Sequence, residues 1–169
     1  MDTLAVVLKE PEKLELSHLD LTPPGVEDVV VDVEWSGIST GTEKLLWSGQ
    51  MPMFPGMGYP LVPGYESVGR IASAGPDANR RVGERVFVPG ARCFGKVRGL
   101  FGGAARRLVV SGKRVVPFDE KLGERGVLLA LAATAYHALA PSGASGALVH
   151  PELVVGHGVL GRLIALLVC

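Results

Sequence analysis

Cysteine is scarce in this chain. Only Cys93 and Cys169 occur among 169 residues, too few and too far apart for a disulfide framework or a cysteine-based metal lobe. A thiol-poor composition suits a reducing compartment, and the cytoplasm is the expected location. Charge of one sign is missing too. Seventeen Lys and Arg balance seventeen Asp and Glu, so nothing electrostatic advertises a nucleic-acid partner, and none is expected. The apolar runs are too short to cross a bilayer, so no integral membrane segment is expected. The start, MDTLAVVLKEPEKL, lacks the basic region and long apolar stretch of a signal peptide. Aromatics make up only 6% of the chain. No repeat or low-complexity tract is present.

What is plentiful is glycine (23) and proline (12), scattered through a chain with 47% hydrophobic residues and mean hydropathy +0.31. That pattern reads as a folded domain with many tight turns. Leu4–Leu8 and Leu14–Leu16 read as strands paired across Pro11. In DVVVDVEWSGI, Val29, Val31, Val33 and Trp35 alternate with Asp32 and Glu34, the period of a half-buried strand. YESVGRIASAG and ERVFVPGA add strands, and ARRLVVSGKRVVPFDE reads as two more joined at Ser111-Gly112. After Asp119 the pattern changes: Val127, Leu128, Leu131, Ala135 and Leu139 recur near helical spacing in an alanine-rich segment.

The last stretch, ELVVGHGVLGRLIALLVC, carries Gly156-x-Gly158-x-x-Gly161 after an apolar run (Leu153–Val155) and before a helical one (Leu160, Leu163, Ile164, Leu167). A strand, this turn and a helix make the start of a dinucleotide-binding unit. Gly156 permits the sharp exit, Gly158 lets a diphosphate reach the backbone, and Gly161 lets helix and strand pack closely. The free N–H groups of the helix start then attract phosphate. A strand–helix turn with no ligand is the other reading of these residues. The acidic residue that would hold the ribose belongs about 20 positions further on, and one strand makes no sheet. The chain is therefore expected to be part of a longer polypeptide, and this part alone is expected to bind dinucleotide poorly.

Several motifs together resemble the medium-chain dehydrogenase/reductase family: Val62-Pro63-Gly64-Tyr65-Glu66 followed by VGRI, Gly83-Glu84-Arg85-Val86, and Thr134–Leu139 (TAYHAL). The resemblance implies a mainly β, GroES-like barrel over 1–118, a connecting helix and turn over 119–146, and over 147–169 the first βα unit of a truncated α/β Rossmann domain. It also implies dinucleotide contacts at Gly156, His157, Gly158, Val159, Leu160, Gly161 and Thr134. Within the family, SGISTGTEKL, RVFVPG, RGLFGGAARRLV and LLALAATAYHAL are similar to the bacteriochlorophyll-pathway branch. That branch implies oxidation of the C3 1-hydroxyethyl group of a (bacterio)chlorophyllide tetrapyrrole to acetyl, with NAD as hydride acceptor and a homodimer at full length. Two other readings stay open: a zinc-free NADPH-dependent quinone or enoyl reductase of the same family, and a non-catalytic GroES-like binding module.

Zinc-dependent members of the family bind the metal at places that correspond here to Ser39, Tyr65 and roughly Ala130. A hydroxyl, a phenol and a methyl are poor zinc ligands, so no metal is expected. Proton handling then falls to side chains, and the candidates are Ser39, Thr40, Thr42, Tyr65 and Glu66, with Glu43 and Lys44 beside them. Tyr65 is the leading candidate, as a phenol that a cation such as Lys44 would make more acidic. Thr42 also reads as a helix N-cap, with Glu43 in the first turn. Met51, Met53, Phe54, Met57 and Tyr59 offer either an apolar face for a flat ring or a cover over the barrel mouth. Arg92, Lys96, Arg98, Arg106 and Arg107 read as a solvated basic loop or as contacts for substrate carboxylates. His137 reads as packed in its helix, and His157 as flanking a diphosphate or facing solvent.

Overall fold

The structure is a computed structural model that describes residues 1–140 and 148–168. The turn expected over Pro141–Gly146 and the terminal Cys169 lie outside the described residues. The chain divides into two compact units, Met1–Val127 and Leu128–Cys169.

In the first unit, β1 (Asp2–Glu10) and β2 (Lys13–Asp20) form the hairpin expected across Pro11, with Leu8 opposite Leu14 and Leu4 opposite His18. Glu12 closes the turn at φ 64°. Seven further strands follow: β3 (Asp28–Ser36), β4 (Leu61–Val62), β5 (Ser67–Ala74), β6 (Arg85–Val88), β7 (Arg98–Gly99), β8 (Arg107–Ser111) and β9 (Val116–Pro117). Helix α1 (Thr40–Ser48) lies between β3 and β4. The strands make two sheets, β2-β1-β4-β7 and β8-β3-β5-β6-β9, antiparallel except for β4 on β7. An Ala5–Ala105 bridge ties strand β1 to the segment before β8.

Branched aliphatic residues, mostly valine, explain the core. Val29, Val31, Ile71, Val86, Val88 and Leu108 are almost fully buried and pack with Val7 and Val62 from the other sheet. The alternation expected in β3 holds only in part. Val30 is buried as well, while Trp35 is 55% exposed. The reason is register: β8 accompanies β3 from Asp28 only to Asp32, so the last residues of β3 lose one neighbour. A smaller cluster of Leu8, Leu46, Leu61 and Leu100 holds α1 against β1 and β4. Met51, Phe54, Met57 and Tyr59 pack on that cluster, and the Tyr59 hydroxyl donates to the carbonyl of Leu46. These four side chains are thus used in the protein's own packing, and of the loop's expected apolar face Met53 is left 81% exposed.

The first compact unit runs on to Val127, because the segment after Phe118 still leans on it. A Cβ on Gly126 would sit 2.6 Å from the Phe118 ring and 3.1 Å from Val68. Helical turns over Glu120–Leu128, interrupted at Gly123, lead into α2 (Leu129–Leu139).

In the second unit α2 packs with α3 (Val159–Val168). The strand expected at Leu153–Val155 is not formed. Leu153 and Val155 are 77% and 89% exposed, and no strand in this unit pairs with them among the described residues. A parallel strand exists only through its neighbours' hydrogen bonds, so the right residues alone do not make one.

Candidate active site

The start of α1 and the segment entering β5 meet at a cluster of hydroxyls. Ser36-Gly37-Ile38-Ser39 leaves β3, and Ser39 is the N-cap of α1 with extended φ/ψ (−76°, 102°) but no capping side-chain bond. Its Oγ is occupied elsewhere: the Tyr65 hydroxyl donates to it at 2.5 Å. Thr42 Oγ1 lies 3.2 Å from the same phenol oxygen. Thr42 is therefore not the cap that its sequence context suggested. It sits a turn inside the helix, and its hydroxyl faces Tyr65. The Tyr65 ring is steadied edge-on by Phe101, with centroids 5.3 Å apart and planes at 88°.

The structure thus brings together Ser39, Thr42 and Tyr65. Thr40 stands outside the group, exposed on the groove side of α1. Lys44 is exposed, and the phenol's hydrogen-bond partners are two neutral hydroxyls instead of an ammonium. Glu66 is 3% exposed, and burial pushes its carboxyl above the usual range. Glu43, named beside the candidates and also read as complementing the helix dipole, has its Oε2 sealed from water without a partner. Burial pushes its carboxyl up as well; the N–H of its own residue pulls the other way, and the Glu66 charge adds to the rise. A further signal is position: Glu43 stands four residues after Ser39, which puts the two on one face of the helix.

Beside the cluster runs an open groove of about 910 Å³. Its walls are mostly apolar, with Leu14, Leu16, Trp35, Ile38 and Trp47 prominent, and Glu43, Lys44 and Arg106 supply charge. No feature of the sequence pointed to it, because its residues come from β1, β2, β3, α1 and the loop before β8. Of the basic loop, Arg107 pairs with Asp32 at 2.5 Å and Arg98 donates to the Tyr59 carbonyl at 3.1 Å. Arg106 alone of the five lines the groove.

The donor set does not suit zinc. The Tyr65 phenol and the two hydroxyls bonded to it, Ser39 and Thr42, are neutral groups standing in place of thiolate and imidazole. Cys93 is buried, and its sulfur accepts the Val109 N–H at 3.4 Å; burial pushes its thiol up. Among the described residues no group of three or more His, Cys, Asp or Glu could hold a metal.

The glycine turn does suit a dinucleotide. Gly156 adopts φ 104°, and a Cβ on Gly161 would stand 2.2 Å from the Gly156 carbonyl. Gly158 has open space where a Cβ would go, just before α3. His157, Val159 and Leu160 are exposed. Thr134 is exposed as well, but its hydroxyl donates to the Ala130 carbonyl one turn back at 3.0 Å. Ala130, the third place compared with zinc ligands, is the second residue of α2.

Two packed sheets with a helix beside the groove define a GroES-like domain of the alcohol dehydrogenase kind, and a glycine turn leads into the last helix of the second unit. The chain belongs to the alcohol dehydrogenase GroES-like domain family, whose profile matches residues 25–120. It is 57% identical over 166 residues to the 2-desacetyl-2-hydroxyethyl bacteriochlorophyllide A dehydrogenase of Rhodobacter capsulatus, covering 98% of this chain and 52% of that protein. It is 55% identical over 170 residues to the protein of the same name from Cereibacter sphaeroides, covering 98% and 52%. The chain spans about half the length of these curated relatives. Among solved structures, 2R,3R-butanediol dehydrogenase from Bacillus subtilis superposes with TM-score 0.72 over 96% of this chain and 53% of its own, at 21% identity. That likeness is one of fold.

Proposed function

We propose that this chain is part of an NAD-dependent dehydrogenase of the cytoplasm that oxidises the C3 1-hydroxyethyl group of a (bacterio)chlorophyllide to acetyl. The observation that carries the reading is the 57% identity, spread over nearly the whole chain, to a relative named for that substrate. On this reading residues 1–118 form the catalytic domain, 119–146 connect, and 147–169 begin the cofactor domain, which at full length would also pair two subunits. Among the described residues no helix is long and apolar enough to cross a membrane.

Gly156, Gly158 and Gly161, with the N–H groups at the start of α3 and the neighbouring His157, Val159 and Leu160, would hold the diphosphate; Thr134 would flank it. A bound nicotinamide supplies the hydride acceptor. The remaining task is the carbinol proton. Tyr65 Oη accepts it while passing its own proton to Ser39 Oγ, along the hydrogen bond already made. Ser39, half-buried at the helix start, releases a proton to water, and Thr42 Oγ1 keeps the phenol oxygen aimed. Glu66 acts by position, not as the base.

The experiment adds a hydroxyethyl chlorin and NAD to the full-length polypeptide and follows the absorption shift of the acetyl product. Conversion supports the reading. Conversion of a quinone or enoyl substrate with NADPH instead would install the reductase reading, and binding without turnover the module reading. Elemental analysis of the same preparation is expected to find far less than one zinc per chain. Stoichiometric zinc, lost together with activity on chelation, would refute the hydroxyl relay.

A further inference from the structure

Phe101 combines an open side chain with a firmly tied backbone. Its ring is 41% exposed. An exposed apolar side chain is ordinary by itself, but the segment beneath this one is fixed on both sides. The N–H groups of Leu100 and Gly102 both donate to the Val62 carbonyl at 2.9 Å, and the Phe101 carbonyl accepts the Ala91 N–H at 2.9 Å. Gly90, at φ 113°, clears the way for that approach: a Cβ there would stand 2.2 Å from the Phe101 carbonyl oxygen. Gly103 and Ala104 continue the pairing, donating to the carbonyls of Gly64 at 2.8 Å and Pro63 at 2.9 Å. The segments that carry Phe101 and Tyr65 therefore run side by side, and the two rings share one frame.

The rings meet at 88° with centroids 5.3 Å apart. A perpendicular neighbour covers at most one face of the Phe101 ring, so the exposure leaves a face open beside the phenol. The substrate's own covalent geometry gives that face a use. In a hydroxyethyl chlorin the carbinol carbon is bonded directly to the macrocycle, so its oxygen is two bonds from the flat ring. When Tyr65 Oη takes the carbinol proton at hydrogen-bond distance, the macrocycle's edge must lie against whatever borders the Tyr65 ring. Phe101 borders it.

We propose that the open face of Phe101 seats the hydroxyethyl-bearing edge of the macrocycle, stacking on the flat ring while its hydroxyl meets Tyr65. Phe101 is then a specificity residue, favouring an alcohol carried on a flat aromatic ring over an aliphatic one. This assignment rests on the dehydrogenase reading. Stacking acts alike on bound substrate and transition state, so its loss raises KM and spares kcat, the reverse of what Tyr65→Phe does.

Fluorine NMR of the full-length polypeptide labelled with para-fluorophenylalanine reads the contact without turnover. The Phe101 resonance is the one missing from both Phe101→Leu and Phe101→Tyr. It is expected to move upfield when a hydroxyethyl chlorin is added with NADH, which cannot accept the hydride, because the macrocycle's ring current shields a nucleus over its face. The chlorin dissociation constant, read by absorption, is expected to rise about tenfold in Phe101→Leu, which offers no flat face. In Phe101→Tyr it is expected to stay near the parent's. A Phe101 resonance that stays in place while the chlorin is bound overturns the seat, as it would if another part of the polypeptide covered the ring. A parent-like dissociation constant in Phe101→Leu, with kcat reduced, also overturns it and leaves Phe101 only steadying Tyr65. Either result beside continued oxidation of the chlorin leaves the dehydrogenase reading intact. A full-length polypeptide that neither binds nor oxidises the chlorin refutes that reading, and the seat with it.

Discussion

Tyr65→Phe in the full-length polypeptide is expected to lower kcat about 10²- to 10⁴-fold, the range over which a positioned proton acceptor acts, while KM changes little. The substitution removes one oxygen and keeps everything else. The ring still packs edge-on against Phe101, so the segment entering β5 should keep its course. What is lost is the donor to Ser39 Oγ and the partner of Thr42 Oγ1. Both hydroxyls belong to half-buried residues that water can reach, so the cost to folding is about 0.5–1.5 kcal/mol, seen as a small drop in the urea midpoint. A large kinetic loss beside a small stability loss is the signature of a group that handles the reacting proton. An unchanged kcat would remove Tyr65 from that role. Ser39→Ala serves as the companion: it keeps the phenol but deletes its acceptor, and a smaller loss is expected because water can take the vacated place.

Gly158→Ala is expected to weaken dinucleotide binding about tenfold or more, about 1.4 kcal/mol at least, with no measurable change in folding. A methyl at this position meets nothing within 4 Å in the chain itself. It would occupy the space through which a diphosphate reaches the backbone. Gly161→Ala tests the neighbouring position for a different reason. There the methyl would collide with the Gly156 carbonyl at 2.2 Å, so the turn itself must shift and stability falls together with affinity. Calorimetric titration with NAD, paired with thermal unfolding, separates the two. If Gly158→Ala binds NAD as the parent does, the turn is a strand–helix connection without a ligand.

Much of the architecture was legible because strands announce themselves by period two and by turn residues. The β1–β2 hairpin across Pro11 is as expected, since it depends on residues adjacent in sequence; the two strands read on either side of Ser111-Gly112 form as well, but they pair with β3 and β6 at opposite edges of one sheet. The members of the hydroxyl cluster could be named from the two motifs that contain them, Ser39 and Thr42 in one and Tyr65 in the other. Their arrangement could not. Thr42 read as a cap because its local context is that of a cap, and a contact with a phenol 23 residues away overrides it. Leu153–Val155 read as a strand because its residues have strand character, yet pairing partners are a property of the sheet, not of the segment. The methionine-rich loop read equally as a face for a flat ring or as a cover over the barrel mouth, and Met51, Phe54, Met57 and Tyr59 fill the space around Leu46 and Leu61.

By itself the sequence determined the β1–β2 hairpin, the β-rich character of the first unit, the change to helix after Asp119, the place of the glycine turn and the identity of the hydroxyl-bearing residues, because all of these follow from spacing and side-chain chemistry along a few neighbouring positions. Tertiary structure alone decided which hydroxyls meet, that Glu66 is buried while Glu43 reaches the wall of the groove, and that leucines and tryptophans from distant segments line that groove. Burial and repulsion are properties of neighbours in space, and those neighbours are chosen only when the two sheets close on α1.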